Sequence, residues 1–139
     1  MKRHKHLFER IVSLANLLGA SRDALRGKRA TRDGGEFLLD WEHELVALHE
    51  ELRSGEYRPG AYRYFDIYEP KQRRVAAAPM RDRVVHHAIV RVIQPIFEKR
   101  FIEDSFASRP GKGTHAAMRR ARQFAQQYRY ALKCDVRKY

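Results

Sequence analysis

Asp135 is the sole carboxylate in the stretch from Arg129 to Tyr139, and Lys133, Arg137 and Lys138 crowd it. Tyr130, Leu132 and Cys134 alternate with Arg129, Ala131 and Lys133. That period of two predicts a strand ending at Asp135. A carboxylate at a strand end, ringed by cations, suits a site for a metal ion and phosphates. The same residues also describe a solvated strand end with ordinary ion pairs, and this stretch alone does not choose between the two.

Two other places hold cations where phosphates could be bound. Lys71 and Arg73 fall at or near a turn between two alternating runs, and two charges at a turn can equally be solvated. Arg109-Pro110-Gly111-Lys112-Gly113-Thr114 sets glycines around a lysine just before a helix, with Thr114 as the expected N-cap. Free amides at a helix start, with Arg109 and Lys112 beside them, form an anion site. The Walker A pattern is absent. Histidine does not suggest a metal. His43 and His49 are not spaced i,i+4, and the adjacent His86 and His87 point in different directions on a helix.

Charge favours a polyanion partner. Net charge is +12, and residues 71–139 hold 17 Lys and Arg against 5 Asp and Glu, so the second half carries all of the excess. A phosphate backbone is the commonest partner for such a surface. The 139 residues suffice for one modest domain. No apolar run approaches the ~18 residues of a membrane span, and the basic start leads into an amphipathic pattern rather than a signal sequence. The expectation is a cytoplasmic protein without a membrane partner. The single Cys134 forms no internal disulfide, and its place on the expected strand predicts a buried, inert thiol.

The elements that must position these residues read as follows. Leu7, Phe8, Ile11, Val12, Leu14, Ala15 and Leu18 predict one helix ended by Gly19, and residues 21–35 predict a polar, Arg- and Lys-rich loop. That loop fits a flexible linker or an arm along phosphates. Phe37, Leu38, Trp41, Leu45, Leu48 and Leu52 predict a helix closed by Ser54-Gly55, with Trp41 in the core. Residues 57–78 predict a β-hairpin around Glu69-Pro70-Lys71-Gln72. Pro79 opens a helix over Met80–Ile93 whose positive end suits Asp82. Pro95, Ile96, Phe97, Phe101 and Ile102 predict a packed turn. A last helix, His115–Gln127, is expected to bury Ala117, Ala121, Phe124 and Ala125 and to present Arg119, Arg120 and Arg122 elsewhere.

Taken in order, several segments resemble the N-terminal part of a bacterial reverse transcriptase. They are Pro70-Lys71-x-Arg73, Arg81-Asp82-Arg83-Val84-Val85-His86-His87, Gln94-Pro95-Ile96-Phe97-Glu98, Phe101-Ile102-x-Asp104-Ser105, Arg109 to Thr114, and Leu132-Lys133-x-Asp135-Val136-x-Lys138-Tyr139. Enzymes of diversity-generating retroelements resemble this order best; group II intron and retron enzymes share it more distantly. The resemblance implies an α+β fold of the right-hand polymerase type. Residues 1–56 would form a helical N-terminal extension, residues 57–128 the fingers, and residues 129–139 a truncated start of the palm.

The resemblance further implies RNA-directed DNA polymerisation with an RNA template, a DNA primer and dNTP. Two Mg²⁺ ions would be held by the complete enzyme, with the Asp135 carboxylate and the Val136 carbonyl as ligands. Lys71, Arg73 and Arg109 would hold the nucleotide; Lys112, Arg119 and Arg120 would follow nucleic acid. The Tyr-x-Asp-Asp segment of that family and its thumb are missing from this sequence. One carboxylate cannot hold two ions, so the chain alone is expected to be inactive. Two other expectations are a non-catalytic basic nucleic-acid-binding module, and a subunit completed by an accessory protein or by the remainder of a polymerase chain.

Overall fold

The computed structural model describes residues 3–136. The chain forms six helices and one hairpin among these residues: α1 (Leu7–Val12), α2 (Leu14–Ala24), α3 (Arg32–Leu39), α4 (Trp41–Ser54), β1 (Arg63–Ile67), β2 (Arg73–Ala77), α5 (Met80–Glu98) and α6 (Thr114–Gln127). It divides into two compact units, one reaching Ile96 and the other starting at Phe97. Helices plus a two-stranded sheet agree with the expected α+β class.

The first unit owns the core. Leu17, Ala20, Ala24 and Leu25 meet Phe37, Leu45, Leu48, Met80, Val84, Val85 and Ala88 in one cluster. The expected single N-terminal helix is instead two. Ser13 breaks it, and its hydroxyl accepts from the Asn16 amide as the cap of α2. The break resets the helical phase, so Leu17 is fully buried while Phe8 and Leu14 are exposed. Gly19 does not end the helix. It lies inside α2, and its bare face is covered by the Arg91 side chain, which reaches Asp23 at 2.5 Å and Asn16 at 3.3 Å. Trp41 packs on the core as expected, with its indole N–H donating to the buried Ser21 hydroxyl.

The expected loop over 21–35 is confined to residues 25–31, and both its ends are helical. α2 runs on to Ala24, and α3 begins at Arg32 with Thr31 as its cap, Oγ1 accepting from the Gly34 amide. Gly34 and Gly35 thus sit in a helix, and the helix expected from Phe37 is broken at Asp40. A methyl group on Gly34 would overlap the Lys28 carbonyl, a backbone atom that cannot step aside. Gly→Ala inside a helix ordinarily gains up to about 1 kcal/mol. Gly34→Ala should instead lose about 2 kcal/mol through overpacking, read as a lower denaturant midpoint with an unchanged slope. Gly55 closes α4 as expected, in the left-handed region at φ 78°.

β1 and β2 pair antiparallel from Arg63 opposite Ala77 to Ile67 opposite Arg73, which is the expected hairpin. α5 continues past the expected Ile93 to Glu98, with Pro95 inside it. A ring at that place removes one helical hydrogen bond without ending the helix. The packed turn expected after it is not packed: Phe97, Phe101 and Ile102 are exposed.

Arg81, in the first turn of α5, reaches back to α4. Its Nε lies 3.0 Å from Glu44 and its Nη2 2.6 Å from Glu51. The hydrogen bond from Arg81 holds the Glu51 carboxyl below its ordinary 4.5. A carboxyl depressed in the folded state contributes stability above that value and loses it as pH falls through the folded value. The advantage of wild type over Glu51→Gln should therefore be present above pH 4.5 and shrink below it. Its size should be under about 1 kcal/mol, since the pair is partly open to water. Denaturant titrations on both sides of that pH check this.

The second unit has no buried residue among those described. α6 starts at Thr114 with Gly113 as its cap residue, one place earlier than expected, and no side chain caps it. Ala117 and Phe124 are only partly buried, and Ala121 and Ala125 are exposed. Residues 129–135 form no strand, since among the described residues no second strand lies beside them to accept their hydrogen bonds. Tyr130 and Leu132 are 85% and 89% exposed. Cys134, expected buried on that strand, is exposed for the same reason.

Candidate nucleotide and nucleic-acid site

The hairpin places Lys71 and Arg73 as expected. Lys71 lies in the turn between the strands, Arg73 opens β2 opposite Ile67, and both are exposed. Period two sends Arg73 and Arg74 to opposite faces. Arg74 sits opposite Asp66, with its guanidinium 4.9 Å from the centre of the Tyr64 ring. This stacked cation was not singled out from the sequence. Its signal was there: Tyr62, Tyr64 and Tyr68 share a parity along the first run.

The other hairpin face borders a cavity of about 540 Å³ whose lining includes Lys28, Arg32, Arg63, Phe65 and Arg83. Two of these cations are partnered, Arg32 by Glu36 at 2.8 Å and Arg83 by Asp33 at 3.9 Å. Lys28 belongs to the stretch that reads as a linker or a phosphate arm, and the fold sets it beside the hairpin.

The second unit treats its cations differently. Arg109 is 10% exposed in its side chain and bonds Glu98 at 2.6 Å. It also donates to the carbonyls of Ile102 and Ser105, both at 2.9 Å, and lies over the Phe101 ring. The Arg109 fork therefore ties together the turn that follows α5. Glu98 Oε2 is buried and has no hydrogen-bond partner among the described residues.

Lys112, Arg119 and Arg120 line one open cavity of about 310 Å³, together with Glu103, Asp104 and Phe106. Arg120 grips both Asp104 oxygens, at 2.6 and 3.2 Å, and stacks on Phe124. That grip holds the Asp104 carboxyl below its ordinary range and raises Arg120. Lys112 donates to the Glu103 carbonyl and lies over Phe106. Arg119 is exposed and joins no ion pair among the described residues. The residue types alone do not show that Arg120 is neutralised, because Asp104 approaches it only through the turn.

Asp135 and Val136 are exposed and lie outside any regular element. Arg137 and Lys138, read as neighbours of Asp135, and the terminal Tyr139 lie outside the described residues. Among the described residues no three His, Cys, Asp or Glu side chains come together to hold a metal. Mg²⁺ needs several oxygen ligands in near-octahedral order. Asp135 alone does not supply them, so the donor set does not fit the two ions implied by the resemblance. Among the described residues no helix is long and apolar enough to cross a membrane.

No protein-family model matches the chain. Among curated proteins it is similar to nuclear intron maturase 2, mitochondrial, of Arabidopsis thaliana, at 28% identity over 108 residues, covering 66% of this chain and 15% of that protein. Nuclear intron maturase 1, mitochondrial, of the same plant is 29% identical over 109 residues, covering 76% and 15%. Protein YkfC of Escherichia coli (strain K12) is 36% identical over 80 residues, covering 55% and 20%. The chain thus spans 15–20% of the length of these relatives, and its likeness is to a segment of proteins two of which are named for intron maturation.

Proposed function

We propose that this chain is the N-terminal part of an RNA-directed DNA polymerase of the reverse-transcriptase kind. Residues 57–128 serve as its fingers, and the palm begins at residue 129. The observation that carries this reading is the likeness to two intron maturases, in a chain whose excess positive charge lies wholly in its second half. Intron maturation concerns RNA, so RNA is the first partner, with a DNA primer and dNTP as the further ones. Lys71 and Arg73, exposed on the hairpin, are free to neutralise the triphosphate of an incoming nucleotide. Lys112 and Arg119 follow the nucleic-acid backbone. Asp135 contributes one carboxylate to a reaction centre that needs further residues, so the chain alone makes no DNA.

A second reading is a basic nucleic-acid-binding module without chemistry. The observation favouring it is the lone position of Asp135, which joins no metal-binding group among the described residues.

Both readings require RNA binding. With about four phosphates neutralised, the affinity for single-stranded RNA should fall as roughly the third power of salt concentration. Raising salt fourfold should weaken binding on the order of fiftyfold, measured by fluorescence anisotropy of a labelled oligonucleotide. An affinity that ignores salt contradicts both.

A further inference from the structure

Three consecutive residues open α5, and each fastens a different part of the first unit. Arg81 holds α4 through Glu44 and Glu51. Asp82 holds the chain that enters the hairpin: Tyr57 donates its hydroxyl to Oδ1 at 2.7 Å, and the Gly60 amide donates to Oδ2 at 2.9 Å. Arg83 holds the chain that leaves it, donating from Nε to the Ala78 carbonyl at 2.8 Å. Both legs of the hairpin are therefore tied to one helical turn.

The joint has no slack. Asp82 is 2% exposed, and each of its oxygens is used. Gly60 lies so close to Pro79 that a methyl group there would stand 2.9 Å from the Pro79 ring. Burial and the Asp82 carboxylate together push the Tyr57 hydroxyl well above its ordinary range, so it stays a donor at physiological pH. The strands themselves give little: a two-stranded hairpin alone is marginal in water, and every residue of β1 is exposed. What fixes the hairpin in space is thus its base.

We infer that Asp82 is a positioning residue for the hairpin. By clamping Tyr57 and Gly60 to the start of α5, it sets where the tip cations Lys71 and Arg73 stand. This rests on the reading of those cations as triphosphate contacts, and the test has two arms so that the two ideas can fail separately.

The first arm is hydrogen exchange on the intact chain, comparing wild type with Tyr57→Phe and Asp82→Asn. Amides of Arg63–Ile67 and Arg73–Ala77 should exchange about tenfold faster in either variant, while amides of α2 and α4 hold their rates. An equal acceleration in the hairpin and in α2 and α4 would make Asp82 an ordinary core residue and overturn the proposal. So would no change in the hairpin. The second arm measures binding of dATP by Tyr57→Phe, Lys71→Ala and the double variant. Tyr57→Phe should weaken binding severalfold in the wild-type background and by a smaller factor in the Lys71→Ala background, where only Arg73 remains to be positioned, because distant sites add unless one acts through the other. Equal factors in both backgrounds overturn the coupling. If wild type binds no dATP, the nucleotide role of the tip is lost, and the exchange rates alone decide the joint.

Discussion

Arg109→Ala should open the second unit at a cost of about 2 kcal/mol, the order expected when acceptors in a partly buried charged network lose their donor. Glu98 Oε1 and the Ser105 carbonyl lose their donor at once, and the Ile102 carbonyl keeps only the Ser105 amide. Glu98 would then have neither carboxylate oxygen paired, since Oε2 already lacks a partner among the described residues. No apolar core in this unit can absorb the loss, because none of its described residues is buried. Exchange of the Arg100 and Phe101 amides, which bond the Phe97 carbonyl, should rise roughly thirtyfold. Amides of α2 and α4 should not respond. Arg109→Lys should lose most of the same protection, because an ammonium cannot reproduce a fork that meets three oxygens in fixed directions. Unchanged exchange in the variants, joined to weaker nucleotide binding, would assign Arg109 to a ligand instead of to the turn.

That result would also settle a question the sequence left open. Arg109 beside two glycines and a lysine reads as an anion site, and nothing local says otherwise. Its partners are Glu98, at the end of a helix that was expected to stop at Ile93, and two main-chain carbonyls. Carbonyls are invisible to a reading of residue types. The hairpin was legible because period two and a Pro-containing turn are both local signals, and its register follows them. The phase of the N-terminal helices was not, because Ser13 looks like any polar residue until its hydroxyl is seen capping α2. Gly19 and Gly34 misled for one reason. A helical glycine is costly by propensity alone, but it is the residue that lets Arg91 or the Lys28 carbonyl come close.

The stretch around Asp135 shows the limit most clearly. Alternation of Tyr130, Leu132 and Cys134 with polar neighbours is a strand signal, yet a strand is defined by its partners. None of the described residues pairs with this segment. Its apolar side chains are therefore exposed, and the strand expected there does not form.

The proposed polymerase role turns on Asp135. The side chain is exposed and joins no cluster of acidic or metal-ligating groups among the described residues, so its removal should leave the fold of this chain intact. A carboxylate that does no structural work in the chain, yet belongs to a reaction centre, should matter only to chemistry. The direct measurement is RNA-templated primer extension by a polymerase-length protein that begins with residues 1–139, with and without Asp135→Ala, alongside RNA affinity of both. The account predicts synthesis lowered on the order of a thousandfold, as when a group stabilising the transition state is deleted, with RNA affinity unchanged. Synthesis at the wild-type rate, or a parallel loss of RNA binding, would contradict it.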